Sequence, residues 1–111
     1  MDVESAREEY RRLLKKSLDE VVEKLKGRAS KIVLIGSYAE GREDLFTDLD
    51  LVVVMNTEKP FVERMEEIYS ILALPVDADI LCYTEEEYEK MLKKGFLKKS
   101  KKVVVYEKEG N

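Results

Sequence analysis

Two aspartates that follow a glycine–serine turn are the residues of this sequence best suited to chemistry. Asp48 and Asp50 open the apolar run 51–55, and the turn Gly36-Ser37 follows an earlier apolar run. Because side chains two apart on a strand share a face, both carboxylates are predicted to project together. Carboxylates hold hard divalent cations, and a turn with a hydroxyl group can bind phosphate oxygens. The pattern therefore predicts a site for a magnesium-bound triphosphate.

The acidic pair also has a purely structural interpretation. Thr47 and Asp48 could cap a turn, and Asp50 could be a solvated strand end. Against this, two anions on one face at the start of a strongly apolar strand repel each other unless a cation lies between them. Both interpretations remain open on this pair alone.

A third carboxylate begins another apolar strand. Asp79 precedes an apolar segment, and Asp77 shares its face. If the second and third strands are adjacent, Asp79 can join Asp48 and Asp50 around two metal ions. Two ions about 3.5–4 Å apart would hold the attacking and leaving oxygens of an in-line displacement. We prefer Asp79 to Asp77, which is expected to end a loop.

A phosphate-binding P-loop is excluded although two glycines have its spacing. Gly36 and Gly41 match the glycines of that motif, but Arg42 and Glu43 stand where it requires lysine and serine or threonine. Arg42 itself is expected either at the surface or in contact with phosphate, because a guanidinium group matches phosphate geometry.

Continuous apolar runs and apolar residues at helical spacing predict the elements that must position these side chains. Gly27 would stop the first helix, and a capping box beginning at Thr84 would start the last one. The order predicts an α/β (α+β) fold with a small mixed sheet of about four strands and helices packed on it, in one domain, 1–111. The predicted elements are a helix at 2–26, strands at 31–36 and 49–55, a helix at 61–72, a strand at 76–83, a helix at 85–94, a helical turn within 96–102 and a strand at 103–106.

Composition excludes several classes of chemistry. The 111 residues carry a net charge of -4, a single cysteine (Cys82) and no histidine. Histidine bases and the usual zinc ligand sets are therefore excluded. No apolar run approaches the roughly 20 residues that span a membrane, and the charged N-terminus shows no signal peptide. One unpaired cysteine, expected to be buried and inert, suits a cytoplasmic protein.

A lysine-rich segment, 90–102, contrasts with the acidic whole. It is expected to be a solvated face, with a patch for triphosphate, RNA or an acidic partner as the alternative. Nucleic acid is possible but not favoured, because Phe96 is almost the only aromatic residue among the lysines.

The central motif resembles a known family. Gly36-Ser37, ten residues and then Asp48-x-Asp50 before an apolar run resemble the signature of the DNA polymerase β-like nucleotidyltransferase superfamily. The segment 76–87 resembles its minimal nucleotidyltransferase branch, and the resemblance extends over about residues 5–107. Thr47 stands where the family often has serine, which keeps the hydroxyl group.

The resemblance implies transfer of AMP from ATP to a hydroxyl acceptor with release of pyrophosphate. Gly36 and Ser37 would hold the β- and γ-phosphates, and Asp48 and Asp50 would bind two Mg²⁺ ions. Asp79 would bind the catalytic ion and help to deprotonate the acceptor. A metal-bound acceptor has a lowered pKa, so the chemistry does not require histidine.

The resemblance also implies a partner. The minimal branch is often the antitoxin of a toxin–antitoxin pair and adenylylates a tyrosine of an all-helical HEPN ribonuclease. A chain of this length has no room for the domain with which larger members grip their acceptor, so a partner is expected to complete the site; a homo-oligomer is possible. The alternatives are a non-catalytic module that masks its partner, and transfer to tRNA or a small molecule.

Overall fold

The computed structural model describes residues 2–109, so Met1, Gly110 and Asn111 of the predicted domain lie outside the described residues. The first helix, α1 (Val3–Leu25), begins after Asp2, whose carboxylate accepts a hydrogen bond from the Ser5 N–H at 2.8 Å. Its buried side chains recur at three- and four-residue steps, which places them on one face of the helix. That face packs on the sheet, as the periodicity predicts.

Four strands form one mixed sheet, as predicted. They are β1 (Lys31–Ile35), β2 (Leu49–Val54), β3 (Ala78–Tyr83) and β4 (Val103–Glu107), in the order β3-β2-β1-β4. Strand β1 is antiparallel to β2 and β4, whereas β2 and β3 are parallel. Four consecutive buried residues in each of β1 and β2 show that the central strands are covered on both faces.

The remaining elements are α2 (Gly36–Ala39), α3 (Phe61–Ile71), α4 (Glu85–Lys93) and a 3₁₀ turn at Phe96–Lys98. The capping box is confirmed, since the Glu87 N–H donates to Thr84 Oγ1 at 3.2 Å and the Thr84 N–H donates to Glu87 Oε1 at 2.9 Å. Element ends differ from the predictions by one or two residues, and the helical turn is shorter. Within residues 2–109, no helix is long and apolar enough to cross a membrane.

The sheet separates two apolar cores. One core lies between the sheet and the helices α1 and α3, and includes Leu49 and Leu51. The other lies under α4 and the 3₁₀ turn, and includes Val52 and Tyr88. Because side chains alternate along a strand, Asp50 projects to the α4 side of the sheet and Leu49 to the α1 side.

Candidate active site

The end of β1 lies beside the starts of β2 and β3. Ile35, the last residue of β1, pairs with Asp50 in β2, and Asp50 in turn pairs with Asp79 in β3. Neighbouring strands lie about 4.8 Å apart, so directly paired residues have adjacent side chains on one face. The second and third strands are therefore adjacent, which was the condition for Asp79 to join the acidic pair, and their register places Asp50 beside Asp79.

Gly36 follows β1 and lies against Asp50. Its φ is +78°, a left-handed conformation that favours glycine. A Cβ atom built on Gly36 would stand 2.3 Å from Asp50 Oδ2, which is far inside van der Waals contact. The position thus requires glycine both for its backbone conformation and for the approach of the carboxylate.

The turn after Gly36 is closed by backbone hydrogen bonds. The Ser37 carbonyl oxygen accepts from the N–H groups of Glu40 and Arg42 at 3.1 and 2.9 Å. Tyr38 packs against the core on the α1 side. The Ser37 side chain is half-buried at the end of β1. Phosphate binding by Gly36 and Ser37 remains a prediction.

Negative charge is concentrated around Asp50. Burial raises the pKa of this half-buried carboxyl group, and the charges of Asp79 and Asp48 raise it further. All three causes act in the same direction. The ionised carboxylate is therefore held in an environment that disfavours its charge, which a bound cation would reverse.

Asp48 is placed differently from Asp50. It lies one residue before β2, is exposed, and lines a separate hollow of about 240 Å³ with Tyr10 and Asp77. Among residues 2–109, no three histidine, cysteine, aspartate or glutamate side chains are arranged as they stand to hold a metal ion. The structure pairs Asp50 with Asp79 and leaves Asp48 outside the strand, close enough for its charge to act on Asp50. The three-acid metal site remains a prediction.

The chemistry of the donor set nevertheless fits a hard divalent cation. Asp50 and Asp79 offer oxygen ligands on adjacent strands. The surroundings of Asp50 disfavour its ionised form, and a nearby positive charge would favour that form again. They line a cleft of about 330 Å³ whose walls include Ile35, Tyr69 and Phe96. A hollow of similar size lies elsewhere on the surface, so it is the acid pair and not volume that distinguishes this cleft.

The segment that leads into β2 is held by α1. The Tyr10 hydroxyl donates to the Thr47 carbonyl oxygen at 2.7 Å, and Arg11 Nε donates to Glu43 Oε1 at 3.2 Å. Thr47 Oγ1 accepts from the Asp44 N–H at 2.7 Å, so this threonine does stabilise a turn. Sequence reasoning missed Tyr10 and Arg11, because partners more than thirty positions away along the chain leave no local signal.

Three other predictions can be compared with the structure. Arg42 lies at the surface in an ion pair with Glu40 at 3.0 Å, and its contact with phosphate remains a prediction. Cys82 is fully buried as predicted, and burial raises the pKa of its thiol to about 11. In the lysine-rich segment, Lys102 Nζ donates to the Ser100 carbonyl oxygen at 2.6 Å, so this lysine stabilises the local backbone.

Comparisons with known proteins agree with this arrangement. Residues 14–109 match the sequence profile of the Nucleotidyltransferase domain family. No curated protein matches the sequence significantly. Among solved structures, a protein of Sulfolobus solfataricus described as a candidate nucleotidyltransferase superposes with a TM-score of 0.66 at 20% identity, covering 87% of this chain and 82% of that one. At that identity the likeness shows a shared fold.

The matched region contains β1 to β4 and the aspartates Asp48, Asp50, Asp77 and Asp79. Proteins with this domain generally use a nucleoside triphosphate and a divalent metal ion. The acid pair, the glycine turn and the mixed sheet are thus found in the part of the sequence that carries the family pattern. This chain belongs to the nucleotidyltransferase domain family.

Proposed function

We propose that this chain transfers AMP from Mg-ATP to a hydroxyl group of a partner protein. The observation that carries the proposal is the register of β2 and β3, which pairs Asp50 with Asp79 directly beside Gly36. Nucleotidyl transfer depends mainly on positioning and on neutralising phosphate charge. A pair of adjacent carboxylates next to a glycine turn supports that role.

Each part of the site has a task in this proposal. Asp50 and Asp79 hold the divalent ions with Asp48, whose exposed side chain is close enough for its charge to raise the pKa of Asp50. Gly36 and Ser37 bind the β- and γ-phosphates. Asp79 also receives the proton of the acceptor hydroxyl. Bound Mg²⁺ would supply charge neutralisation for the phosphates and a lowered pKa for the acceptor hydroxyl.

The surface beside the acids supports a macromolecular acceptor. Phe46, two residues before Asp48, is 91% exposed. Aromatic residues are enriched at the centres of protein interfaces, and in our proposal Phe46 is one contact of the acceptor protein. In our proposal the acceptor is a tyrosine of an all-helical HEPN-type partner, and the pair forms a toxin–antitoxin system.

Mass spectrometry of the partner tests this proposal. The chain is co-expressed with the product of its neighbouring gene, which under this proposal is an all-helical protein, and that product is examined for the added mass of AMP. Asp50→Asn and Asp79→Asn should abolish the modification. Asp77→Asn, which removes a carboxylate two residues from Asp79, should retain most of it. An unmodified partner in the presence of wild-type protein, ATP and magnesium would refute protein adenylylation.

A non-catalytic masking module is the second candidate. It is favoured by the finding that, across the described residues, no trio of acidic side chains is preassembled around an ion position. Calorimetry separates the two functions. If Mg-ATP does not bind, while the partner binds wild type and Asp50→Ala equally, masking is correct. Binding of Mg-ATP that is lost in Asp50→Ala favours the transferase.

A further inference from the structure

We propose that Tyr69 is a positioning residue that holds Asp79 in place for metal binding. The Tyr69 hydroxyl donates to the Ala78 carbonyl oxygen at 3.1 Å and accepts from the Ile80 N–H at 2.7 Å. These are the residues immediately before and after Asp79. The inference deepens the proposed function and rests on it, because it assumes that Asp79 holds a divalent ion.

The two hydrogen bonds pair with backbone groups of β3 that a neighbouring strand would otherwise bind. β3 ends the sheet order β3-β2-β1-β4, so within residues 2–109 it is paired on one side only. The Leu49 N–H of β2 donates to the Asp77 carbonyl oxygen at 2.9 Å, which shows that the odd-numbered residues of this segment direct their backbone groups toward β2. Ala78 and Ile80 therefore direct theirs outward. The Tyr69 hydroxyl satisfies both outward groups that flank Asp79.

The support beneath Tyr69 is rigid. The preceding residue, Ile68, is almost fully buried in the α1-side core. Earlier in α3, the buried Arg64 donates through Nε to the Lys59 carbonyl oxygen at 2.7 Å and through Nη1 to the Cys82 carbonyl oxygen at 3.2 Å. Helix α3 is thus held to β3 by the Arg64–Cys82 hydrogen bond and to the core by the packing of Ile68. The hydroxyl group is delivered from a fixed scaffold, not from a mobile loop.

The consequence concerns where the Asp79 carboxylate stands. Metal-binding groups must be held within about 0.5 Å of a productive geometry by their supporting contacts. Without the hydroxyl, the edge strand has unpaired backbone groups on both sides of Asp79 and can move away from Asp50. The hydroxyl hydrogen is already donated to Ala78, so Tyr69 supports the site and does not transfer a proton itself.

Tyr69→Phe tests the inference, with Tyr106→Phe as a matched control. The Tyr106 hydroxyl also donates to a backbone carbonyl oxygen, that of Lys26, at 3.0 Å, but Tyr106 lies on β4. In Tyr69→Phe we expect Mn²⁺ binding, followed by electron paramagnetic resonance, to weaken about tenfold, as is typical when a ligand loses its supporting partner. The kcat for AMP transfer should fall by about the same factor with little change in the KM for ATP. Amide exchange at Ile80 should become faster. Tyr106→Phe should match wild type in all three measurements.

The outcomes separate this inference from the proposed function. If wild type transfers AMP and Tyr69→Phe equals it in Mn²⁺ affinity and kcat, the positioning role is wrong and the function stands. If wild type transfers nothing but Tyr69→Phe still weakens Mn²⁺ binding, the positioning role stands and the function is wrong. An equal loss in Tyr106→Phe, or a wild type that does not bind Mn²⁺, would overturn the inference.

Discussion

Replacing Asp50 by asparagine should stabilise the fold at neutral pH while abolishing nucleotidyl transfer. The carboxylate is half-buried, lies opposite Asp79 and is also close enough to Asp48 for that charge to raise its pKa. Asparagine keeps the shape of the side chain and removes the charge. Neutralising a group that serves binding at the expense of stability commonly makes the protein more stable and less active.

The magnitude follows from the spacing of the strands. Two unit charges about 5 Å apart in water repel each other by about 0.8 kcal/mol. Asp50 is partly exposed, so the water value applies instead of the larger value for a dry interior. Removing the charge also removes the free-energy cost of partly burying it, which adds to the repulsion. The total gain in the free energy of unfolding should be about 1 kcal/mol. For a chain of this length that is a rise in Tm of about 4 °C.

The sign of the pH dependence can be stated from the pKa of Asp50. Burial first, and then the charges of Asp79 and Asp48, raise this pKa above its ordinary value of 3.8. The folded state therefore holds the proton more tightly than the unfolded state. The resulting stability is fully present below the unfolded pKa and is lost as the pH rises through the folded pKa. The advantage of Asp50→Asn should consequently shrink as the pH falls toward 4.

Urea denaturation in the presence of EDTA measures this effect, at pH 7 and again in acid. Asp44→Asn is the control, because Asp44 is exposed and forms an ion pair with Arg7 at 3.3 Å; it should change stability by less than about 0.5 kcal/mol. Added Mg-ATP should raise the Tm of wild type and leave Asp50→Asn unchanged. A variant less stable than wild type at pH 7 would refute the electrostatic reasoning.

Three further predictions concern the supporting structure. Gly36→Ala should lower the free energy of unfolding by about 1–3 kcal/mol or more, because the added methyl group would meet Asp50. Gly41→Ala, at φ +74° in open space, should cost about 1 kcal/mol, and equal costs for the two variants in urea denaturation would contradict this. Arg64→Met should cost about 2 kcal/mol in the same assay, because its partners on β3 and α4 lose charged hydrogen bonds, and a cost below about 0.5 kcal/mol would argue against that role. Cys82, with its thiol pKa near 11, should resist a thiol reagent at pH 8 until the protein is unfolded in urea; fast labelling of the native protein would contradict its burial.

The local pattern of the sequence was sufficient to predict the elements. Continuous apolar runs located the four strands, and apolar residues at helical spacing located the three long helices, because burial on one or two faces leaves a direct trace in the sequence. The capping box at Thr84 and the burial of Cys82 are confirmed for the same reason, since both depend on neighbouring residues. Element ends were less certain. The strand predicted from residue 76 begins at Ala78, because the preceding acid ends a loop.

The placement of the acids shows where sequence reasoning stops. Asp50 and Asp79 pair directly across β2 and β3, whereas Asp48 lies one residue before β2 and lines a hollow with Tyr10 and Asp77. The periodicity of two holds only inside a strand, so it could not place a residue one position outside it. The approach of Gly36 to Asp50 was also invisible, since glycine in the motif suggested phosphate binding and not room for a carboxylate.

The sequence by itself determined the residue types, the order of helices and strands, and the family motif around Gly36 and Asp50, because these depend on local periodicity and spacing. Only the tertiary structure decided which strands are neighbours in which register, that Tyr10 holds the segment before β2, and that Tyr69 completes the edge beside Asp79. Those contacts join residues that are distant along the chain or depend on the direction of a backbone group. Their geometry is set by packing of the whole sheet, and no short stretch of sequence contains it.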